Sequence, residues 1–155
     1  MDLEIDVTRC MTYGVNKFIS SGYEYTLINL CIIHGADVNY HNSFVLTEAC
    51  WLGLYDVVKL VIESGADIHV RDDIAIEYAS SENRYEITKL LLEKGANPNR
   101  RHNFCLSFAA EMGYIDVVRL LLNYGINNDS ISWAMASAEE HGYKDIVKLL
   151  LEYKK

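Results

Sequence analysis

A chain of 155 residues, half of them hydrophobic and 23% charged, can bury a sizeable core and is not composed like a disordered segment. Its formal net charge of -8 at pH 7 argues against nucleic acid or an anionic membrane as a partner, since both require a basic surface. No apolar run is long enough to span a membrane, and Met1-Asp2-Leu3-Glu4-Ile5-Asp6 is too acidic for a signal peptide, so an intracellular, cytoplasmic location is expected.

In chain order, the first 11 residues lack the pattern that follows. Leu3, Ile5 and Val7 alternate with Asp2, Glu4 and Asp6, which fits either an extended segment laid on its neighbour or a frayed terminus. Tyr13 to Ser21 and Tyr25 to Ile33 then read as two helices about Gly22, a degenerate first copy of a unit that recurs to the end of the chain. Gly35-Ala36-Asp37-Val38-Asn39, Gly65-Ala66-Asp67-Ile68-His69, Gly95-Ala96-Asn97-Pro98-Asn99 and Gly125-Ile126-Asn127-Asn128-Asp129 stand 30 residues apart. An apolar run precedes the last three of these glycines, at Val57 to Ile62, Ile87 to Leu92 and Val117 to Leu122, and recurs at Ile146 to Leu151. A fixed period in this range marks a stacked solenoid.

The unit has a physical reading. Ile87, Leu90 and Leu91 share one helical face and Leu92 widens it, as suits an outer helix covered by repeats on both sides. Asp56, Glu86, Asp116 and Asp145 fall in the first turn, where a carboxylate caps free amides and opposes the positive helix end. The glycines at 35, 65, 95 and 125 permit the left-handed turn that ends the helix. A shorter inner helix precedes each outer one, from about Ile74 to Glu82 in the third copy and Phe104 to Met112 in the fourth. Ala49, Ala79, Ala109 and Ala138 let helix backbones approach closely, and Gly53, Asn83, Gly113 and Gly142 close the inner helix. Asparagine is the residue that best replaces glycine in a left-handed turn. The fifth copy, from about 131 to 153, has a loop one residue shorter.

Short helix, glycine turn, apolar outer helix and a closing Gly-Ala-Asp-x-Asn resemble ankyrin repeats over about residues 12 to 153. The resemblance implies an all-α helix-turn-helix solenoid of about five repeats. Two departures accompany it. The usual Thr-Pro-Leu-His opening is replaced by Phe44-Val45-Leu46-Thr47, Ile74-Ala75-Ile76-Glu77, Phe104-Cys105-Leu106-Ser107 and Trp133-Ala134-Met135-Ala136. The family period is about 33 residues, and the shortfall falls where the family has its β-hairpin finger, so shortened fingers with little strand are expected. A period of 30 without Thr-Pro-Leu-His is similar to the ankyrin proteins of giant DNA viruses of amoebae. One domain is expected over 1–155, with a degenerate cap repeat at 1–35, internal repeats at 36–65, 66–95 and 96–125, and a closing cap repeat at 126–155.

Chemistry is sparse. No Gly-x-Ser-x-Gly, P-loop, His-Glu-x-x-His or paired-cysteine motif occurs, so no catalytic residue, cofactor or metal ligand is expected. Cys10, Cys31, Cys50 and Cys105 are 21, 19 and 55 residues apart, without zinc or redox spacing. The last three fall on core positions and are expected to be buried free thiols. The resemblance implies a partner protein bound to a monomer along the concave strip of inner helices and loop tips. Carried onto this chain, that strip holds Trp51, Leu52, Glu82, Glu111, Met112 and Glu140, with His41, Arg71 and Arg101 stacked 30 apart along the loop edge. A positive edge above an acidic floor suits a partner of mixed charge; a merely solvated edge is the plainer reading, with Asp72 and Asp73 beside Arg71. Trp51 reads two ways, as an exposed hot spot or as filler over the degenerate first repeat, because its equivalents Ser81, Glu111 and Glu140 show that the repeat needs no apolar group there. Trp133, aligned with Phe104, Phe44 and Ile74, is assigned to the core. The resemblance also marks Asn39 and Asn99 as a target class of the asparaginyl hydroxylase, with His69 and Asp129 in the same slot; the plainer role is hydrogen bonding to the loop. A protein-interaction module is the leading reading, and a stoichiometric inhibitor of a host enzyme such as a kinase is the alternative.

Overall fold

The computed structural model describes residues 9–12, 24–100 and 104–154. After a helical turn at residues 9–12, nine helices follow among the described residues, and those residues form no strand. They are α1 (Glu24–Ile33), α2 (Tyr40–Leu52), α3 (Tyr55–Glu63), α4 (Val70–Ser81), α5 (Tyr85–Glu93), α6 (Phe104–Glu111), α7 (Ile115–Leu122), α8 (Asn128–Glu140) and α9 (Lys144–Tyr153). The inner helices α2, α4, α6 and α8 pack in succession, as do the outer helices α1, α3, α5, α7 and α9, and each inner helix packs on the outer helix that follows it. This nearest-neighbour pattern is that of a helix-turn-helix solenoid.

The outer helices bury a broad face because the repeats on either side cover it. Ile87, Leu91 and Leu92 of α5 are buried and Leu90 packs against the same core. Truncating a side chain such as Leu91 would cost about 2–5 kcal/mol through the cavity it leaves. The opposite face carries Lys59, Glu63, Lys89, Glu93, Arg119, Lys148 and Glu152, all exposed.

Both helices of a unit end in the same way. At Gly95, with φ of 97°, the Ala96 amide donates to Leu91 O at 3.0 Å and the Gly95 amide to Leu92 O at 3.0 Å. These two bonds satisfy carbonyls that a helix end leaves open. The inner helices repeat the arrangement, and there the carbonyl that accepts the longer-range bond belongs to the small alanine: Leu54, Arg84, Tyr114 and Tyr143 amides donate to Ala49, Ala79, Ala109 and Ala138. All four alanines are completely buried. Asn83 holds the turn at φ of 56° in place of glycine, as its tolerance of that region allows. At the outer-helix starts the N-cap residues are Leu54, Arg84, Tyr114 and Tyr143, none with a side-chain cap. The carboxylates of Asp56, Glu86, Asp116 and Asp145 lie two residues further in, where they oppose the helix dipole.

The finger is short and, among the described residues, carries no strand. In repeats two and three it is one left-handed turn, His41-Asn42-Ser43 and Arg71-Asp72-Asp73, with φ between 50° and 61° throughout. Three consecutive L residues in this region are costly, roughly 1–2 kcal/mol each, though least so for Asn and Asp. The turn is held because its last residue is drawn inward: Ser43 and Asp73 are buried and bond the loop before them. The regular part of the inner helix then starts at Phe44 and Ile74. In the fifth repeat the shorter loop leaves no such turn. Asn127 is a true N-cap, accepting from the Ser130 amide at 2.8 Å, and α8 begins three residues before the expected start at 131.

One expectation near the ends changes. Residues 9–12 are helical, with Met11 fully buried, while the alternation at Leu3, Ile5 and Val7 and the first inner helix lie outside the described residues. Trp133 is not core. It is 69% exposed, while its equivalents Phe104 and Ile74 are 39% and 2% exposed. In α8 it lies in the second turn, beside the groove. The two residues after it point between the helices, as Cys105 and Leu106 do in α6. Apolar character alone does not separate these positions.

The turns give a direct test. Gly113 and Gly142 share φ of 78°, but a Cβ on Gly113 would lie 2.6 Å from the Tyr143 ring, whereas one on Gly142 meets nothing within 4 Å. In urea unfolding, Gly142→Ala is expected to cost about 1–2 kcal/mol, the left-handed penalty alone, and Gly113→Ala measurably more.

Candidate functional site

The site is the face of the inner helices that no other element covers. Phe104, Phe108 and Met112 follow at i, i+4 and i+8 and so share one side of α6 and its end. All three are substantially exposed, Met112 by 50%. The Phe104 and Phe108 rings lie 5.6 Å apart at 45°, within the range of favourable aromatic pairs.

Two hollows open on either side of Phe108. Toward the start of the chain, Trp51, Tyr78, Phe108 and Met112 enclose about 330 Å³ together with Glu77 and Glu82. Toward the end, Phe104, Phe108 and Trp133 enclose about 530 Å³ with Glu111 and Asp129, and the Ser107 and Ser137 hydroxyls complete the wall. Phe108 lines both, so together they form one groove running from α2 to α8.

Of the residues expected at the site, Trp51, Glu82, Glu111 and Met112 line this groove. Trp51 is 48% exposed, and its carbonyl accepts from Arg84 Nε at 3.3 Å, which fixes the end of α2. Leu52 instead packs against the core, and Glu140 is exposed outside the groove lining. His41 and Arg71 are exposed in the left-handed turns. Arg101 lies outside the described residues. Beside that position, Arg100 stands 3.7 Å from both Asp72 and Asp73. Sequence reasoning missed Phe104, Phe108, Tyr78, Glu77, Asp129 and Trp133. One signal was present: Glu48 and Ser137 occupy the position of Tyr78 and Phe108, so the repeat does not require an aromatic ring there.

Along the loop edge, side chains tie one repeat to the next. Asn39 Nδ2 donates to Gly65 O at 3.0 Å, and Asn39 Oδ1 accepts from the Asp67 amide at 2.7 Å. Asn99 makes the same pair with Gly125 O and the Asn127 amide, both at 3.0 Å. His69 occupies the slot between them and lacks the amide. There Asp73, buried to 3% exposure, accepts from the Asn97 amide at 3.3 Å and meets His69 Nδ1 at 2.8 Å. The structural role anticipated for Asn39 and Asn99 is therefore filled.

No group of three His, Cys, Asp or Glu side chains converges among the described residues. Burial pushes the thiols of Cys31, Cys50 and Cys105 up, Cys105 to about 12 despite a hydrogen bond with Ser80. No helix of the described residues is long and apolar enough to cross a membrane.

Residues 76–155 match the family described as Ankyrin repeats (3 copies), and residues 45–73 match the one described as Ankyrin repeat. No curated protein matches the chain.

Thiolate, not thiol, reacts with a disulfide reagent. In the folded protein near pH 8, Cys10, the exposed cysteine, is expected to react within seconds to minutes, and Cys50 and Cys105 only at the rate of unfolding. Counting thiols released with and without denaturant checks this.

Proposed function

The chain belongs to the ankyrin-repeat family, and from that premise we propose that it is a non-enzymatic module that binds a partner protein along the groove of its inner helices. Ankyrin repeats generally mediate protein–protein interaction and are typically without catalytic activity. The observation that carries the reading to a surface is the aromatic row. Trp51, Tyr78, Phe104, Phe108 and Trp133 come from four successive inner helices and, with Met112 just past the end of α6, border one open groove. Aromatic side chains with polar groups at the margin are what protein-binding hot spots are made of. The outer helices carry exposed rings of their own at Tyr25, Tyr55 and Tyr85, but Tyr25 lines a hollow with Asp56, Lys59 and Glu63 and Tyr85 one with Asp116 and Arg119, so the rings there stand among charges of both signs.

Two finer assignments belong to the same proposal. His41 and Arg71, with Arg101 at the equivalent position, border the partner on the loop side. The 30-residue period and the missing Thr-Pro-Leu-His support a viral protein whose partner is a host factor. Inhibition of a host enzyme is an outcome the partner's identity decides: an enzyme that loses activity at a one-to-one ratio would make this chain its inhibitor.

Capture from host lysate tests the surface. A Trp51→Ala/Phe108→Ala variant is expected to lose at least tenfold of the captured partner, because hot-spot truncations cost about 2 kcal/mol or more. Lys59→Ala/Lys89→Ala on the outer face is expected to lose none. The reverse pattern would place binding on the convex side.

A further inference from the structure

We propose that the fourth-to-fifth-repeat end of the groove is an arginine site: a guanidinium carried on an apolar segment of the partner stacks on Trp133 and Phe104 in the negative field of Glu111 and Asp129, which line the same hollow. The inference rests on the groove being the binding surface and adds the chemistry of what it takes.

Charge complementarity selects the occupant. Four carboxylates, those of Glu77, Glu82, Glu111 and Asp129, line the two hollows, and no Lys, Arg or His among the described residues does. The other hollows mix signs: Lys59 stands with Asp56 and Glu63, Arg119 with Asp116, and Lys144 with Glu139. The aromatic row thus coincides with the hollows that hold one sign of charge. The net charge of -8 also draws cationic partners toward the protein at low salt.

Within the groove, the end at Trp133 fits a cation best. Trp133 is 69% exposed, so its ring is open to a ligand, and Phe104 and Phe108 line the same hollow. Tryptophan is the strongest of the aromatic rings in attracting a cation. Glu111 at the end of α6 and Asp129 in the first turn of α8 line this same hollow. Arginine suits the combination better than lysine. Its planar, weakly hydrated guanidinium stacks on rings and presents a fork of donors to carboxylates, while an ammonium is a compact and strongly hydrated charge. The remaining apolar surface, at Phe108, Met112 and Trp51, takes the flanking residues.

The test uses the full chain and three synthetic peptides of one leucine- and alanine-rich sequence, differing only in a central arginine, lysine or citrulline. Citrulline keeps the shape and planarity of arginine but not the charge. Isothermal titration or fluorescence anisotropy at 50 mM and 300 mM salt is expected to rank arginine above lysine above citrulline. Arginine should exceed citrulline by about tenfold at low salt, with the gap narrowing at high salt. NMR should show the arginine δ-methylene protons shifted upfield by the Trp133 ring. Glu111→Gln/Asp129→Asn should bring the arginine peptide down to the citrulline affinity and leave the citrulline peptide unchanged. Equal affinity for arginine and citrulline, or no effect of the double variant, overturns the arginine site. The groove reading then survives if Phe108→Ala still weakens all three peptides. If none of the peptides binds at millimolar concentration, the arginine site is likewise overturned, and partner capture by the wild type judges the groove separately.

Discussion

Each loop of this protein is fastened to the next by the side chain of one residue. Asn39 and Asn99 each use both ends of the amide, one as donor to a glycine carbonyl and one as acceptor for a backbone amide 28 residues on. Such a bond contributes about 0.5–1.5 kcal/mol net, less than a single buried leucine. Apolar burial therefore supplies most of the stability, and the amide bonds supply something burial lacks. Burial is non-directional; a bidentate amide fixes how far and at what angle one unit sits on the last. The third repeat shows how strongly that constraint acts. With histidine in the slot, a buried carboxylate four residues later takes over the acceptor role.

That substitution links the loop to its unusual backbone. Asp73 reaches the Asn97 amide because residues 71–73 wind left-handed and turn the third side chain inward. Ser43 does the corresponding work in the repeat before, bonding Asn39 itself at 2.8 Å. One compact turn thus replaces a projecting hairpin, which accounts physically for a period of 30 residues. Among the described residues no tall finger stands over the inner helices, and the side chains of Trp51 and Tyr78 are reachable from the loop side as well as from the groove.

Much of this architecture was legible in the sequence because it is written in residues whose role is local. A glycine or asparagine at the end of an apolar run states its own backbone conformation, and an alanine at a fixed position implies close helices. The failures share one cause. Trp133 was assigned to the core because it aligns with Phe44, Ile74 and Phe104, yet alignment fixes only the angle about the helix axis. Whether that angle faces a neighbour or the groove depends on packing that no single unit contains. Phe108 was missed for the complementary reason, since one exposed ring in an otherwise ordinary inner helix acquires meaning only when Trp51 and Trp133 are placed on either side of it. The left-handed turns were not legible because Asn, Asp and Ser suit many turn types and do not specify three successive residues at positive φ; the shortened spacing revealed that something was missing and not what replaced it.

If side chains of one repeat hold the next in register, exposed loop amides must behave as though they were inside a helix. Native-state hydrogen exchange of the Asp67 and Asn127 amides asks this directly, since both residues are exposed and neither amide is bonded within its own repeat's helices. The account predicts that they exchange at least a hundredfold more slowly than in an unstructured peptide, and that Asn39→Ala and Asn99→Ala remove the protection one repeat downstream. Exchange at unstructured rates in the wild-type protein would contradict it.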